Sequence, residues 1–185
     1  MNKNKLLLII PVLLVVTAVY VFAIYFKNKD KTLTNDDTTE FTVNDNNTVD
    51  SGKLKEIYLA GGCFWGLEAY MQKIKGVEDA VSGYANGKTD NPSYKDLHTS
   101  GHAETVKVVY NPDIVSLEEL LEYYLRVVDP VSINKQGNDT GTQYRTGVYY
   151  TNNSEKTIIE KVLANEQNKY DKPIAIEVLP LQQFF

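Results

Sequence analysis

Ile57-Tyr58-Leu59-Ala60-Gly61-Gly62-Cys63-Phe64-Trp65-Gly66-Leu67 is the stretch on which the chain is organised. Its first four residues are apolar and read as a short buried strand. Beyond the cysteine, Leu67, Tyr70, Met71 and Ile74 recur at helical spacing, and Gly76 stands where a C-terminal cap belongs. Cys63 therefore lies at a strand-to-helix junction, where unpaired helix N–H groups favour negative charge. Gly61 and Gly62 allow a turn with positive φ and leave room beside the backbone. The stretch holds the only cysteine and the only tryptophan of the chain, two residues apart. A lone cysteine is most often a small buried hydrophobe. The glycine turn, the helix start and the aromatic pair point instead to a reactive thiol.

The composition excludes several classes. The chain has 185 residues, 43% of them hydrophobic, which suits one globular domain plus an appendage. One cysteine rules out an internal disulfide framework and a multi-cysteine metal site. Two histidines, His98 and His102, leave little for a histidine-rich one. The net charge of −5, without a basic block, argues against nucleic acid as a partner.

Outward from the cysteine, Leu6 to Phe26 carries no charge and is long enough to span a bilayer. Lysines flank it, and its bulky end lacks a signal-peptide cleavage pattern. The expectation is an uncleaved single-pass anchor within residues 1–31, with the transmembrane helix at about 6–26. The cell membrane is then the location, and the exterior the side expected for the catalytic domain. Residues 32–52, rich in Asp, Asn and Thr, read as a flexible linker. Residues 53–185 form the globular part.

Within it, Val77–Tyr84 reads as a second strand, Ala85-Asn86-Gly87 as a turn and Asp90–Ser93 as a loop. Ala103–Tyr110 alternates, with Glu104, Val106, Val108 and Tyr110 on one face. Ser116-Leu117-Glu118-Glu119 is a capping box for a helix that ends before Pro130. A polar loop, Asn134–Thr142, leads to a strand over Tyr144–Tyr150. Ser154 is placed as the cap of the next helix, and Ile174–Leu179 is the last strand. Alternating helices and strands indicate an α/β or α+β sandwich with helices packed on one sheet.

Outside the cysteine motif, Glu104 stands out as a carboxyl opening an apolar strand face. Desolvation there favours its neutral form and suits it to proton donation. Tyr94, Tyr144 and Asp139 would be bland surface or turn residues if each were taken alone. Taken together, Gly-Cys-Phe-Trp-Gly, Asn-Pro-Ser-Tyr, Gly-His-Ala-Glu, Gln-Gly-Asn-Asp and Gly-Thr-Gln-Tyr-Arg follow one another along the chain. In that order they resemble the A-type peptide methionine sulfoxide reductases, over about residues 54–185.

The resemblance implies a two-layer, ferredoxin-like α/β sandwich with a mixed sheet. It makes Cys63 the nucleophile, and Phe64 and Trp65 the apolar pocket for the substrate methyl group. Glu104 becomes the acid, Tyr94 and Tyr144 the donors to the sulfoxide oxygen, and Asp139 a supporting polar residue. The implied substrate is methionine-S-sulfoxide, free or in oxidised proteins. No metal or organic cofactor is implied. The implied reductant is an external thiol, either a small thiol or a thioredoxin-type protein. Such chemistry suits these residue types: a hydrogen-bonded sulfoxide is electrophilic at sulfur, and thiolate attack leaves a sulfenic acid.

Three departures mark the chain, expected to be anchored through residues 6–26, as a single-cysteine variant with a shortened C-terminus. It has no second cysteine to resolve the sulfenic acid, and His98 stands where many relatives carry one. The loop between Tyr94 and Glu104 is shorter than usual. The chain stops after Phe184-Phe185, which reads as a shortened C-terminus. Two other readings compete. One is an inactive sulfoxide-binding relic lacking that tail. The other is a cysteine hydrolase with His98 or His102 as its base.

Overall fold

The computed structural model describes residues 53–185. In chain order its elements are β1 (Lys55–Ala60), α1 (Phe64–Met71), β2 (Val77–Ala85), α2 (Leu97–Ser100) and β3 (Ala103–Tyr110). There follow α3 (Leu117–Leu125), β4 (Lys135–Gln136), β5 (Asp139–Thr140), β6 (Gly147–Tyr150), α4 (Asn153–Gln167) and β7 (Glu177–Pro180). Single 3-10 turns cover Tyr94–Asp96 and Thr142–Tyr144.

The main sheet has the order β2-β3-β1-β6-β7. β3 runs antiparallel to both β1 and β2, and β6 antiparallel to β1. β7 adds to β6 in parallel, so the sheet is mixed. The split βαβ pattern, with β3 inserted between β1 and β2, is the ferredoxin-like arrangement that was expected. Period-two alternation sorts the side chains. Ile57 and Leu59 of β1, Val106, Val108 and Tyr110 of β3 and Val148 of β6 enter one core with Phe64, Leu67 and Met71 of α1. Leu117, Leu120, Leu121 and Tyr124 of α3 and Ile159 and Val162 of α4 complete it. Helices thus cover one face of the sheet.

The opposite face carries a smaller cluster of Tyr58, Ala60, Ala85, Ala103 and Tyr149, with Leu181 and Phe184 packed on it. The last five residues supply that cover. Phe184 bridges to Ala85, and Tyr84 and Phe185 exchange both backbone hydrogen bonds at 3.0 Å. Asn86 holds the same segment, receiving the Gln182 N–H on its Oδ1 at 2.8 Å and donating from Nδ2 to the Pro180 carbonyl at 3.1 Å.

Several expectations need correcting. The helix after β6 is capped by Asn152, with Glu155 closing the box, and Ser154 sits inside it. Asn152 and Ser154 are both good caps, but only Asn152 has the extended backbone that a cap requires. The strand expected from Tyr144 begins at Gly147, because Thr142–Tyr144 turns as a 3-10 helix first. The polar loop 134–142 contains the β4–β5 hairpin, too short and polar to show as alternation.

The expected transmembrane helix preceding the domain is also corrected. Among the described residues no helix is long and apolar enough to cross a membrane. The longest, α4, would span only about 22 Å at 1.5 Å per residue, against about 30 Å of hydrocarbon, and one of its faces is charged. The expected anchor at 6–26 and linker at 32–52 lie outside the described residues. The expectations of membrane anchoring, a cell-membrane location and an extracytoplasmic domain find no support in the described residues.

Candidate active site

The site forms where β1 ends. Tyr124 of α3 donates from its buried hydroxyl to the Ala60 carbonyl at 2.6 Å, fixing the last residue of the strand. Gly61 follows under close cover: a Cβ there would lie 2.6 Å from Val128 and 3.2 Å from Tyr124. Gly62 then turns the chain at φ 77°, in the left-handed region, with Gln136 against it. Cys63 emerges exposed as the N-cap of α1, and its side chain makes no capping hydrogen bond. The helix is tied to β2 by Glu68, which accepts the Ser82 N–H at 2.6 Å, and by Gln72, which donates to the Ala80 carbonyl at 3.0 Å.

Glu104, the second residue of β3, lies under the start of α1 and is only 1% exposed. Its Oε2 accepts the Phe64 N–H at 3.1 Å, one residue from Cys63. Its Oε1 is buried with no hydrogen-bond partner in the protein. Burial raises the Glu104 pKa above the usual carboxylate value. The Phe64 amide opposes that rise, and the charge of Asp139 adds to it. A carboxyl so placed keeps its proton to higher pH and has an oxygen free to offer it.

Tyr144, at the end of its 3-10 turn, is half-buried, and its phenol is pushed up to about 12. The neighbouring hydroxyl of Tyr94 is the largest cause, followed by burial and the charges of Glu104, Tyr94 and Asp139. Two segments far apart in sequence thus set two hydroxyls beside one carboxyl. Tyr94 is 57% exposed and reaches the site from the turn before α2. Asp139 sits half-buried in β5. Phe64 is buried and stacks on Trp65 at 5.8 Å, while Trp65 itself is 69% exposed. The aromatic wall therefore has one anchored ring and one open to solvent.

All seven residues singled out in the sequence gather at this end of the sheet. Tyr84 was missed. Its ring lies 5.7 Å from that of Phe64, and burial with the charges of Glu104 and Tyr94 raises its pKa. No local sequence signal marked it: its place beside Glu104 comes from the register of β2 on β3. His102, one candidate base for a hydrolase, is fully buried elsewhere. Its Nδ1 lies 3.0 Å from the Ser100 hydroxyl and its Nε2 3.3 Å from Gln183. Burial, then the nearby Arg145, lowers its pKa. It is built into the packing of the C-terminal segment. The side chain of His98 lies outside the described residues. Among the described residues no group of three or more His, Cys, Asp or Glu side chains could hold a metal ion.

The chain matches the family model for peptide methionine sulfoxide reductase over residues 55–185. That match runs through the last residue. The match gives no support to the expectation of a shortened C-terminus. Among solved structures, the chain is similar to reduced Mxr1 from Saccharomyces cerevisiae, at 37% identity and a TM-score of 0.69. That alignment covers 73% of this chain and 80% of the yeast one. Methionine sulfoxide reductase A of Corynebacterium diphtheriae aligns at 31% identity and a TM-score of 0.65, covering 74% and 71% respectively. The yeast protein has also been solved in complex with Trx2; that chain aligns at 28% identity and a TM-score of 0.57, over 74% of this chain and 82% of that one.

Proposed function

The chain belongs to the peptide methionine sulfoxide reductase family, and from that premise we propose how residues 53–185 carry out the reaction. The enzyme is a thiol-dependent oxidoreductase that reduces methionine sulfoxide to methionine through a catalytic cysteine and a sulfenic acid. Cys63 is that cysteine: it is the only one in the chain, it is exposed, and it stands at the N-terminus of α1. Its thiolate attacks the sulfoxide sulfur. Glu104 donates a proton to the sulfoxide oxygen from its unpartnered Oε1, and the hydroxyls of Tyr94 and Tyr144 hydrogen-bond the same oxygen. Asp139 raises the Glu104 pKa and so helps to keep that proton in place. Phe64 and Trp65 receive the methyl group, for which an aromatic face is a favourable neighbour.

The single observation that carries this reading is the buried Glu104 carboxyl, one oxygen held by the Phe64 amide and the other free, beside the cysteine turn. The substrate epimer is S, as the resemblance to the A-type reductases implies. An exposed Cys63 and Trp65 accommodate methionine sulfoxide in oxidised proteins as well as the free amino acid. With no second cysteine, the sulfenic acid is resolved by an outside thiol, from a small thiol or from a thioredoxin-type protein such as the partner of the yeast relative. Separated epimers of a methionine sulfoxide peptide, with excess dithiothreitol, test the reading. The S form should be consumed and the R form left. Equal loss of both, or ester cleavage without sulfoxide reduction, would contradict it.

A further inference from the structure

Cys63 also borders a second space. A pocket of about 330 Å³ is lined by Gly61, Cys63, Gly66, Leu67, Tyr70 and Val127. None of Phe64, Trp65, Glu104, Tyr94, Tyr144 or Asp139 contributes to it. The sulfoxide side and this pocket therefore meet at the cysteine without sharing another wall. No lining residue is charged, and the volume is at the lower end of the range for small-ligand sites. Gly66 is the second observation. It lies inside the first turn of α1, where glycine is a poor helix former, yet a Cβ there would meet nothing within 4 Å. Neither packing nor backbone conformation requires glycine at that position. Its absent side chain leaves the pocket open.

We infer that this pocket is the entry site for the reductant, a small neutral thiol that attacks the Cys63 sulfenic acid from the side opposite Glu104. The inference rests on the sulfoxide reductase reading. Displacement at sulfur needs the incoming sulfur, Sγ and the leaving oxygen roughly in line. The leaving oxygen faces the proton donors, so the thiol must come from the other side. The thiol sulfur bonds to Sγ, the S–O bond breaks, and the hydroxide leaves as water with the proton that the thiol gives up. A second thiol then attacks the sulfur of the first, releasing the Cys63 thiolate and a small-molecule disulfide. Two thiols are oxidised for each sulfoxide reduced.

The experiment separates the half-reactions, using dithiothreitol and a thioredoxin as reductants for Gly66→Leu, Gly66→Ala and Val127→Phe. Val127 is surface-exposed, so its variant tests the pocket even if Gly66→Leu does not fold. Expected is an unchanged release of methionine in the absence of thiol, with resolution by dithiothreitol slowed tenfold or more in the two filled variants and less in Gly66→Ala. Resolution within twofold of the parent in whichever filled variants fold overturns the inference and leaves the reductase reading intact. Loss of methionine release in the filled variants also overturns it, because the pocket then holds the sulfoxide. Slowing with thioredoxin but not with dithiothreitol overturns it too, and assigns the pocket to a protein. If the parent itself releases no methionine, the reductase reading fails and the inference falls with it.

Discussion

Glu104 sits where its charge is costly, and the cost is what makes it useful. Burial disfavours the ionised form, so its folded pKa lies above the unfolded value of about 4.3. Below about pH 4 the carboxyl is neutral in both states, and its contribution to stability is fully present. That contribution is lost as pH rises through the raised folded pKa, because the folded protein must then hold a buried charge. Glu104→Gln removes the penalty together with the proton donor. Its rate should fall by about 10²–10⁴, the usual worth of a positioned general acid, and the alkaline decline of the parent rate should vanish with it. Its stability relative to the parent should be higher at about pH 8 than at about pH 4, measured by urea midpoints. A variant that keeps the parent rate and its alkaline limb would remove Glu104 from the mechanism.

At the scale of elements, the site is a joint between β1 and α1 that α3 holds from above. Tyr124 and Ala60 form its buried hydrogen bond. Tyr124→Phe removes the phenol donor to the buried Ala60 carbonyl and should cost about 0.5–1.5 kcal/mol in denaturant unfolding. A loss below about 0.5 kcal/mol would mean that the strand end is held by other contacts. This joint was legible in the sequence because each part has a local signature. The apolar run gives the strand, the paired glycines the turn, and the spacing of Leu67, Tyr70 and Met71 the helix. Glu104 was legible too, since alternation places it on the apolar face of β3. What stayed hidden depends on tertiary contact. The β4–β5 hairpin has two residues per strand and no apolar face, so no period announces Asp139 as part of a strand. Tyr84 lies in a strand whose neighbours give no hint of Phe64, which packs on it from another element. The true cap of α4 could not be told from Ser154 by residue type alone.

At the scale of the molecule, the last residues close the back of the sheet behind the site. Phe184 meets Tyr58 edge-on at 5.2 Å, and a Cβ on Gly83 would collide with its ring at 2.4 Å. Tyr84, which faces Phe64 on the front, is held through its backbone by Phe185 on the edge. The sequence read this end as shortened because relatives usually continue past it, a comparison that says nothing of how Phe184 and Phe185 pack. Phe184→Ala should lower stability by about 2 kcal/mol, less than the roughly 3–5 typical of a core phenylalanine, because the ring is only half-buried. An unchanged thermal midpoint would show that the segment is not part of the folded unit. The account as a whole stands on one electrophile–nucleophile exchange at one sulfur. The most direct test mixes the thiol-free protein with excess methionine-S-sulfoxide and counts methionine, then adds a sulfenic-acid-specific reagent before mass spectrometry. One methionine per chain and one label, at Cys63, is the predicted result. Continued turnover without any thiol, or methionine release that leaves Cys63 unlabelled, would contradict it.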